Sequence, residues 1–380
     1  MSRPRPGGTR EHPIGSIRPV RRWFDAHLDL AYLAVCGRDM RRTLVELGRP
    51  KNRALVGPHP PASITLDSMR AGGLCDALGT IFTEAGGKGP YAYDPGDDAS
   101  AREAGLRQLR CYHNWVHDSG VCLTRFASDG GSSRDTEAPP SAYASTTKTH
   151  AERTIRLGIL IENADPIAGP DELAWWVERG VVAVGLSWAV QSRYAGGNTC
   201  DTGLTDLGRD MVDAMDGLGV VHDCSHLSQR AVDELLGRAH GPVMASHSNC
   251  RSLLDGQNER HLHDDTIREI TRRGGVIGLN LCAPFVRDTI TEGERPSVED
   301  ALRHVEYICE IAGDRAHVGL GSDLDGGFSA EHLPEGINSP SDYERLAEGL
   351  AALGWSADEI DGFAHGNWLA FFREAAAQGA

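Results

Sequence analysis

Short apolar runs rich in β-branched residues recur along the chain, and most of them end in a polar or charged residue. Runs of this length, bounded by turn-forming residues, are typical of buried β-strands. We therefore predict eight strands, at Trp23–Asp29, Leu74–Thr83, Ile155–Glu162, Val181–Trp188, Gly219–His226, Pro242–His247, Gly275–Leu281 and His317–Asp323.

Amphipathic stretches lie between many of these runs and predict helices. They cover Asp171–Arg179, Leu204–Leu218, Ser228–Ala239, Asp264–Arg273 and Ser297–Ala312. Alternation of strands and helices favours a parallel sheet with helical crossovers, and eight such units favour a (β/α)8 barrel. The sequence thus predicts an α/β fold, a TIM barrel whose functional residues lie at the C-terminal ends of the strands.

The remaining segments are arranged around this barrel. Residues 1–22, rich in Arg, Pro and Gly, are predicted to be a flexible N-terminal extension, and residues 23–380 a single barrel domain. A long insertion at about residues 85–150 contains one predicted helix, Asp98–His117, and a mobile surface loop, Ala127–Thr149, rich in Ser, Thr, Gly and Pro. Two helices at about residues 341–377 are expected to pack outside the barrel.

Charge and composition narrow the classes of function. Among 380 residues, 38 are Lys or Arg and 54 are Asp or Glu, and the net charge of −16 argues against a nucleic-acid or anionic membrane partner. No run of about 18 apolar residues occurs, so no transmembrane helix is expected. Nine scattered cysteines without a CxxC pair favour a reduced, cytoplasmic protein over a disulfide scaffold.

Candidate metal ligands stand at the ends of five predicted strands. Strand residues two apart point the same way, so His27 and Asp29 face one side of the first strand. Three imidazoles and three carboxylates meeting at a barrel mouth are costly to desolvate without a cation, and this donor set suits zinc, iron, manganese or cobalt. Six candidates exceed one tetrahedral site and predict two ions bridged by a carboxylate. The set is His27, Asp29, Glu162, His226, His247 and Asp323.

Eight motifs follow one another between Phe24 and Phe372. They are FDAHLD, MRAGG, LIENAD, GLTDLG, HDCSHLS, PVMASHS, GLGSDLDG and HGNWLAFF. Together they resemble the membrane (renal) dipeptidase family of zinc metallopeptidases. The resemblance implies a (β/α)8 barrel with a binuclear zinc site, hydrolysis of dipeptides and, in some members, of β-lactams, and a homodimer.

The resemblance also implies a role for each candidate ligand. His27 and Asp29 bind the first ion, His226 and His247 bind the second, and Glu162 bridges both. The cofactors expected are therefore two divalent metal ions, with zinc favoured.

On the substrate side, the resemblance implies that Asp323 is the catalytic acid and base and that Arg260 pairs with the substrate carboxylate. Trp188 stands where the family carries a His that contacts the scissile carbonyl. Because an indole N–H only donates and carries no charge, we expect Trp188 and Tyr194 to wall a pocket for an apolar, aromatic or cationic group. The alternative is that Trp188 packs under its loop and Gln191 supplies the contact.

We predict a metal-dependent hydrolase in which a metal-bound hydroxide cleaves a dipeptide or a peptide-like amide, so the expected partner is a small peptide-like molecule. Two alternatives stay open. In the first, the same barrel acts on another C–N bond or in a non-hydrolytic biosynthetic step. In the second, the protein is a scaffold on a degenerate barrel, which the six intact site residues disfavour.

Two further polar residues lie near the predicted strand ends. His222 either supports a ligand or packs in the core, and Asp325 is expected to order its loop rather than react.

Overall fold

The computed structural model describes residues 20–127, 154–255, 258–291 and 293–378. The strands found in these residues are β1 (Trp23–Leu28), β2 (Leu74–Ile81), β3 (Glu84–Ala85), β4 (Ala92–Tyr93), β5 (Val121–Leu123), β6 (Ile155–Ile161), β7 (Val181–Gly185), β8 (Val221–Asp223), β9 (Val243–Met244), β10 (Ile277–Leu279) and β11 (Val318–Leu320).

The helices follow the strands in the expected alternation. They are α1 (Leu30–Val35), α2 (Leu44–Leu47), α3 (Leu66–Ala71), α4 (Asp98–Asp118), α5 (Leu173–Val177), α6 (Asp206–Leu218), α7 (Gln229–Arg238), α8 (Asp264–Arg272), α9 (Ala283–Val286), α10 (Val298–Ala312), α11 (Glu344–Ala352), α12 (Ala357–Asp361) and α13 (Asn367–Gln378). Their starts obey local capping chemistry. Side chains of Thr205, Ser228 and Ser297 accept the first free N–H groups of α6, α7 and α10.

Eight parallel strands form a nearly closed barrel. They are hydrogen-bonded in the order β10-β11-β1-β2-β6-β7-β8-β9, and a parallel bridge between Ala245 and Ile277 joins β9 to β10. All eight predicted strands are therefore confirmed, as is the (β/α)8 fold class. Each observed strand ends before its predicted end, and in most of them the chain leaves the sheet before the polar residue that closed the apolar run.

Glycine lets the barrel close between β9 and β10. A Cβ at Gly278 would lie 1.9 Å from the Ser246 carbonyl oxygen, and one at Gly321 would lie 1.8 Å from the same atom. Such distances are far inside van der Waals contact, so only glycine fits at these two positions. The backbone at Ser246, after β9, is consequently in close contact with the backbone at Gly278 and Gly321.

The long insertion contains more structure than the pattern suggested. Its predicted helix is confirmed as α4, but β5 was missed, because three residues are too few to show a period; β5 pairs with β6 in parallel. Residues 1–19 and 128–153 lie outside the described residues. Nearly all of the predicted extension and of the loop Ala127–Thr149 falls in these two segments.

The C-terminal helices differ from the expectation in number and in place. There are three, and α13 does not stay outside the barrel. Its aromatic face fills the end of the barrel where the strands begin, since the Asn367 side chain donates to the Val318 carbonyl (2.7 Å) and the Trp368 indole donates to the Leu320 carbonyl (2.9 Å). The interior cluster comprises Phe24, Ala26, Leu78, Phe126, Leu160, Val182, Ala183, Val221, Met244, Val276, Trp368, Leu369, Phe371, Phe372 and Ala375.

Candidate metal centre

The six predicted site residues meet at the opposite, C-terminal end of the strands. Within this group His27, Asp29 and Glu162 form one set of close ligand-type atoms, Glu162, His226 and His247 a second, and His27, His247 and Asp323 a third. In each set the ligand-type atoms lie within 4.8 Å of one another, and the residues are buried except for His226, whose side chain is 11% exposed. We term the six residues the strand-end cluster: His27, Asp29, Glu162, His226, His247 and Asp323.

A β-bulge aims the first strand at this cluster. Ala26 lines the barrel interior, so strict alternation would turn His27 outward. Between Asp25 and Leu28, however, β1 advances by three residues while β2 advances by two. The extra residue changes the phase of β1, as bulges do next to functional sites, and brings His27 and Asp29 to the mouth.

Glu162, directly after β6, lies at the centre of the cluster. Its Oε1 is 3.1 Å from His226 Nε2 and 3.7 Å from His247 Nε2. Its Oε2 is 3.7 Å from His27 Nε2, which is 3.8 Å from Asp29 Oδ1. The two carboxylate oxygens thus face different groups of residues, which is the arrangement of a bridging ligand.

Two members of the cluster have left-handed backbone conformations. His226 has φ of 65° and Asp323 has φ of 62°, in a region that non-glycine residues occupy rarely. Such conformations are unfavourable and persist where surrounding contacts hold them, commonly at functional sites. For Asp323 one such contact is the Asn280 amide, which donates to its Oδ2 at 3.0 Å.

Burial shifts the charge state of the whole cluster. It lowers the pKa of the three histidines well below the usual value, with the cationic Arg260 adding to the effect. Burial raises the pKa of Asp29 to about 6 and raises those of Glu162 and Asp323 well above the usual range, with Asp29 adding to both latter shifts. Burial thus favours neutral imidazoles and opposes the ionised form of the carboxylates, and a nearby cation would offset that cost for the carboxylates.

The residues present fit divalent metal. His27 Nε2 and Glu162 Oε2 are buried and have no hydrogen-bond partner. Orphaned polar atoms in a protein interior are unfavourable, and here a nitrogen lone pair and a carboxylate oxygen point to the same space. Imidazole nitrogen and carboxylate oxygen are the donors that zinc and its neighbours in the periodic table accept.

Arg260 lies at the edge of the cluster and is 4% exposed. Its guanidinium donates to the His247 carbonyl (2.8 Å) and to the Ser248 hydroxyl (3.0 Å), and it lies 5.1 Å from the Phe285 ring centre. Its buried Nε has no partner. The structure therefore brings this cation to the site with a donor to spare.

Trp188 reaches the site, whereas Tyr194 does not. The half-buried Trp188 ring lies 5.9 Å from the His226 ring and 5.1 Å from that of Phe82. Tyr194 is fully buried in the core, and its hydroxyl donates to the Ile167 carbonyl. The expectation that Tyr194 walls the substrate pocket is thus not supported, because a fully buried ring has no surface to offer a substrate.

The two residues whose roles were left open or secondary lie outside the cluster. His222 points to the helix layer, where its Nε2 is 2.7 Å from Asp216 Oδ1 of α6. Asp325 accepts hydrogen bonds from the backbone N–H groups of Ser63 (2.8 Å) and Ile64 (3.0 Å) and from the Arg38 guanidinium. Asp325 therefore orders two loops against each other, as expected.

Several neighbours of the cluster escaped sequence reasoning. The Thr80 hydroxyl donates to Asp29, Asn198 lies 3.3 Å from His226 Nδ1, and Phe82 packs on Trp188. Thr80 and Phe82 belong to the second predicted strand, whose polar end was not used. A search of all eight strand ends, including those without ligand-type residues, would have found these two.

Comparison with known proteins decides the family. The sequence profile of membrane dipeptidase (peptidase family M19) matches residues 22–380. The chain belongs to this family. Membership confirms the resemblance, and with it the class of enzyme, a hydrolase of the metal-dependent dipeptidase type.

Relatives of this M19 protein include Dipeptidase 3 of Rattus norvegicus. It is 30% identical over 173 residues, which are 46% of this chain and 33% of that protein. The chain thus spans about a third of that curated relative.

Two solved structures share the fold. The dipeptidase AC, a metallopeptidase of family M19, has a TM-score of 0.71 at 22% identity and covers 95% of this chain and 100% of that one. A metallopeptidase from Rhodobacter sphaeroides, liganded with a phosphinate mimic of the dipeptide L-Ala-D-Ala, has a TM-score of 0.70 at 21% identity. The match covers 93% of this chain and 99% of that one.

Among the residues that the structure describes, no helix has both the length and the apolar character needed to span a membrane.

Proposed function

We propose that this M19 protein hydrolyses dipeptides or peptide-like amides with two divalent ions, zinc being favoured, held by the strand-end cluster. His27 and Asp29 would hold one ion, His226 and His247 the other, and Glu162 both. The observation that carries this proposal is the central position of Glu162, whose two oxygens face different ligands. The orphaned nitrogen of His27 and the orphaned oxygen of Glu162 support it.

When bound, the ions supply a water of lowered pKa and polarise the scissile carbonyl. The remaining steps fall to the chain itself. The Asp323 carboxylate accepts the proton of the attacking water and delivers it to the leaving amine, a role that Asn280 supports by fixing its Oδ2. Arg260, with a free buried N–H, pairs with the substrate carboxylate and so orients the bond to be cleaved.

An aromatic wall next to the ligands supports a preference for substrates with an apolar or aromatic side chain. Trp188 packs edge-on against Phe82, and the centre of the Tyr91 ring lies 5.6 Å from that of Phe82. Trp188 is also 5.9 Å from His226, so the wall begins at the predicted second ion. Aromatic faces bind apolar groups through area and ring geometry.

Trp188, which stands where the family carries a His, also supports a second candidate function. In this alternative the protein acts on a C–N bond other than a peptide bond, or catalyses a non-hydrolytic step. A panel of dipeptides and N-acyl amino acids, incubated with the zinc-loaded protein and followed by mass spectrometry, separates the candidates. Products that together gain one water per molecule support hydrolysis. Conversion without that gain in mass contradicts it.

The substrate preference is tested on wild type and Trp188→His with matched dipeptides. Wild type should cleave Phe-containing dipeptides more than about tenfold faster than Ala-Ala or Gly-Leu, a difference on the scale of a side chain in an apolar pocket. Trp188→His should narrow this ratio and keep both ions. Equal cleavage of all the dipeptides by wild type, with no change in the variant, would refute the role of the wall.

The proposal includes a cellular location and an oligomeric state. A cytoplasmic location is supported by nine scattered cysteines without a CxxC pair, a pattern typical of a reducing compartment. A homodimer is implied only by the family resemblance. Light scattering on the purified protein tests the oligomeric state, and an equilibrium mass of one chain would contradict the dimer.

A further inference from the structure

Two buried aspartates hold serines of neighbouring strands in the same way. Asp223 in β8 accepts hydrogen bonds from the backbone N–H (2.8 Å) and the hydroxyl (2.6 Å) of Ser246, which follows β9. Asp25 in β1 accepts from the backbone N–H (2.8 Å) and the hydroxyl of Ser322, which follows β11. Each pair is termed a carboxylate–serine clamp. Both clamps tie together adjacent strands that carry residues of the strand-end cluster.

The clamps differ in what else the serine hydroxyl touches. Ser246 Oγ lies 2.7 Å from His247 Nδ1 and 3.4 Å from His27 Nδ1. The Ser225 hydroxyl oxygen also lies 3.4 Å from Ser246 Oγ. Ser322 Oγ instead accepts from the Tyr343 hydroxyl at 2.9 Å. The first clamp therefore touches two predicted metal ligands directly, and the second is a matched copy whose serine hydroxyl has no such ring contact among the described residues.

The positions of the hydrogens in the first clamp follow from the number of donors and acceptors on the Ser246 hydroxyl. A serine hydroxyl has one hydrogen and two lone pairs. Since Ser246 donates its hydrogen to Asp223, it meets the two imidazoles as an acceptor, and each ring must carry its hydrogen on Nδ1. That tautomer places the lone pair on Nε2, and the Nε2 atoms of His27 and His247 each lie 3.7 Å from a different oxygen of Glu162.

We propose that Ser246, held by Asp223, is a positioning residue that fixes the metal-binding tautomer of His27 and His247 at once. The inference rests on the proposed function, in which the two histidines bind different ions. One hydroxyl then supports both ion sites, so its loss should weaken both. Hydrogen bonds to the outer nitrogen of a ligating histidine commonly contribute about 10- to 100-fold to metal affinity.

The surroundings of Ser246 make its replacement by alanine a clean test. Its carbonyl oxygen is enclosed by Gly278 and Gly321, where even a Cβ would come within 1.9 Å and 1.8 Å. The backbone therefore has little freedom to move. Ser246→Ala removes the hydroxyl and leaves the position of the strand unchanged.

The test compares Ser246→Ala with Ser322→Ala in the full chain. Zinc affinity is measured by competition with a chelator, zinc content by elemental analysis, and the melting temperature on the metal-free proteins. We expect Ser246→Ala to lose about 10- to 100-fold in affinity for both ions. Ser322→Ala should bind zinc like wild type while its metal-free melting temperature falls at least as much, because each variant removes one hydroxyl hydrogen bond to a buried aspartate.

The outcomes separate this inference from the function it rests on. If Ser246→Ala binds both ions as tightly as wild type, weakens only one, or weakens no more than Ser322→Ala, the shared positioning role is refuted while the proposed function stands. If wild type itself binds no zinc, the proposed function fails first.

Discussion

Two groups of ligand-type residues lie at opposite ends of the same barrel. The strand-end cluster is one. The other is the strand-start cluster of Cys75, Asp76 and His365, whose ligand-type atoms also lie within 4.8 Å of one another. Asp76 there accepts from Arg22 (3.0 Å), from Arg156 and from His365 (2.7 Å), so both carboxylate oxygens have partners.

The comparison shows that proximity of ligand-type residues is a weak signal for metal. Two guanidinium groups already neutralise Asp76, and a divalent ion would be repelled by them. The strand-end cluster has three carboxylates, one nearby arginine and orphaned atoms on His27 and Glu162. A metal site is therefore indicated where charge and hydrogen bonding are incomplete without the ion.

The strongest test of this contrast removes one histidine from each end. His226→Ala should lose one ion per chain and reduce hydrolysis to the background of the metal-free protein, because the second ion then lacks one of its proposed ligands and the proposed chemistry uses both ions. His365→Ala should keep two ions and at least half of the activity. Elemental analysis and dipeptide turnover give both readouts. Two ions and full turnover in His226→Ala would overturn the ligand assignment.

A second test separates chemistry from metal binding within the strand-end cluster. Asp323→Asn keeps the shape of the side chain and removes proton transfer. We expect two ions per chain and a turnover about 10²- to 10⁴-fold lower, the usual contribution of a positioned acid and base. Metal loss that accounts for the whole fall in turnover would make Asp323 a ligand rather than the acid and base.

The strand-start cluster should matter for stability instead. Asp76→Asn leaves Arg156 facing an uncharged amide in a largely buried site, and removal of one partner of such a pair costs about 3 kcal/mol. The Arg22 side chain is 61% exposed, so the loss of its ion pair adds little. Urea unfolding should show this loss of free energy while zinc content stays at two ions per chain. A zinc content that falls with Asp76→Asn would mean that the strand-start cluster does bind metal.

The smallest expected effect is an opposite pH dependence of the two clusters in metal-free protein. Burial raises the pKa of Asp76, but hydrogen bonds from His365 and Arg156 outweigh it and set the pKa to about 2. Asp76 then stabilises the fold above its unfolded pKa near 4, and this contribution is lost as pH falls towards 2. Asp29, raised by burial to about 6, destabilises the fold increasingly as pH rises from about 4 to 6.

Urea unfolding of chelator-treated wild type, Asp29→Asn and Asp76→Asn between pH 2 and 7 checks these signs. Asp29→Asn should gain stability relative to wild type as pH rises from 4 to 6. The deficit of Asp76→Asn should shrink below pH 4. A deficit of Asp76→Asn that grows on acidification would contradict the assigned ion pair.

Much of the fold and of the strand-end cluster could be predicted because the sequence patterns that mark them are local. Each strand of the barrel is a short apolar run, and His27, Asp29 and Glu162 stand at the ends of such runs. Parallel strands bring their C-terminal ends to one mouth, so residues far apart in sequence meet there without further information. The eight motifs and their order along the chain predicted the family.

What the sequence by itself determined was therefore the order of strands and helices, the barrel class and the ligand-type residues at one end. The tertiary structure alone decided the bulge that turns His27 inward, the burial of Tyr194, and the hydroxyl of Ser246 shared between two rings. It also decided that Asp76 is neutralised by Arg156. These features depend on contacts between side chains or strands far apart in the chain, and local periodicity carries no information about which distant groups meet.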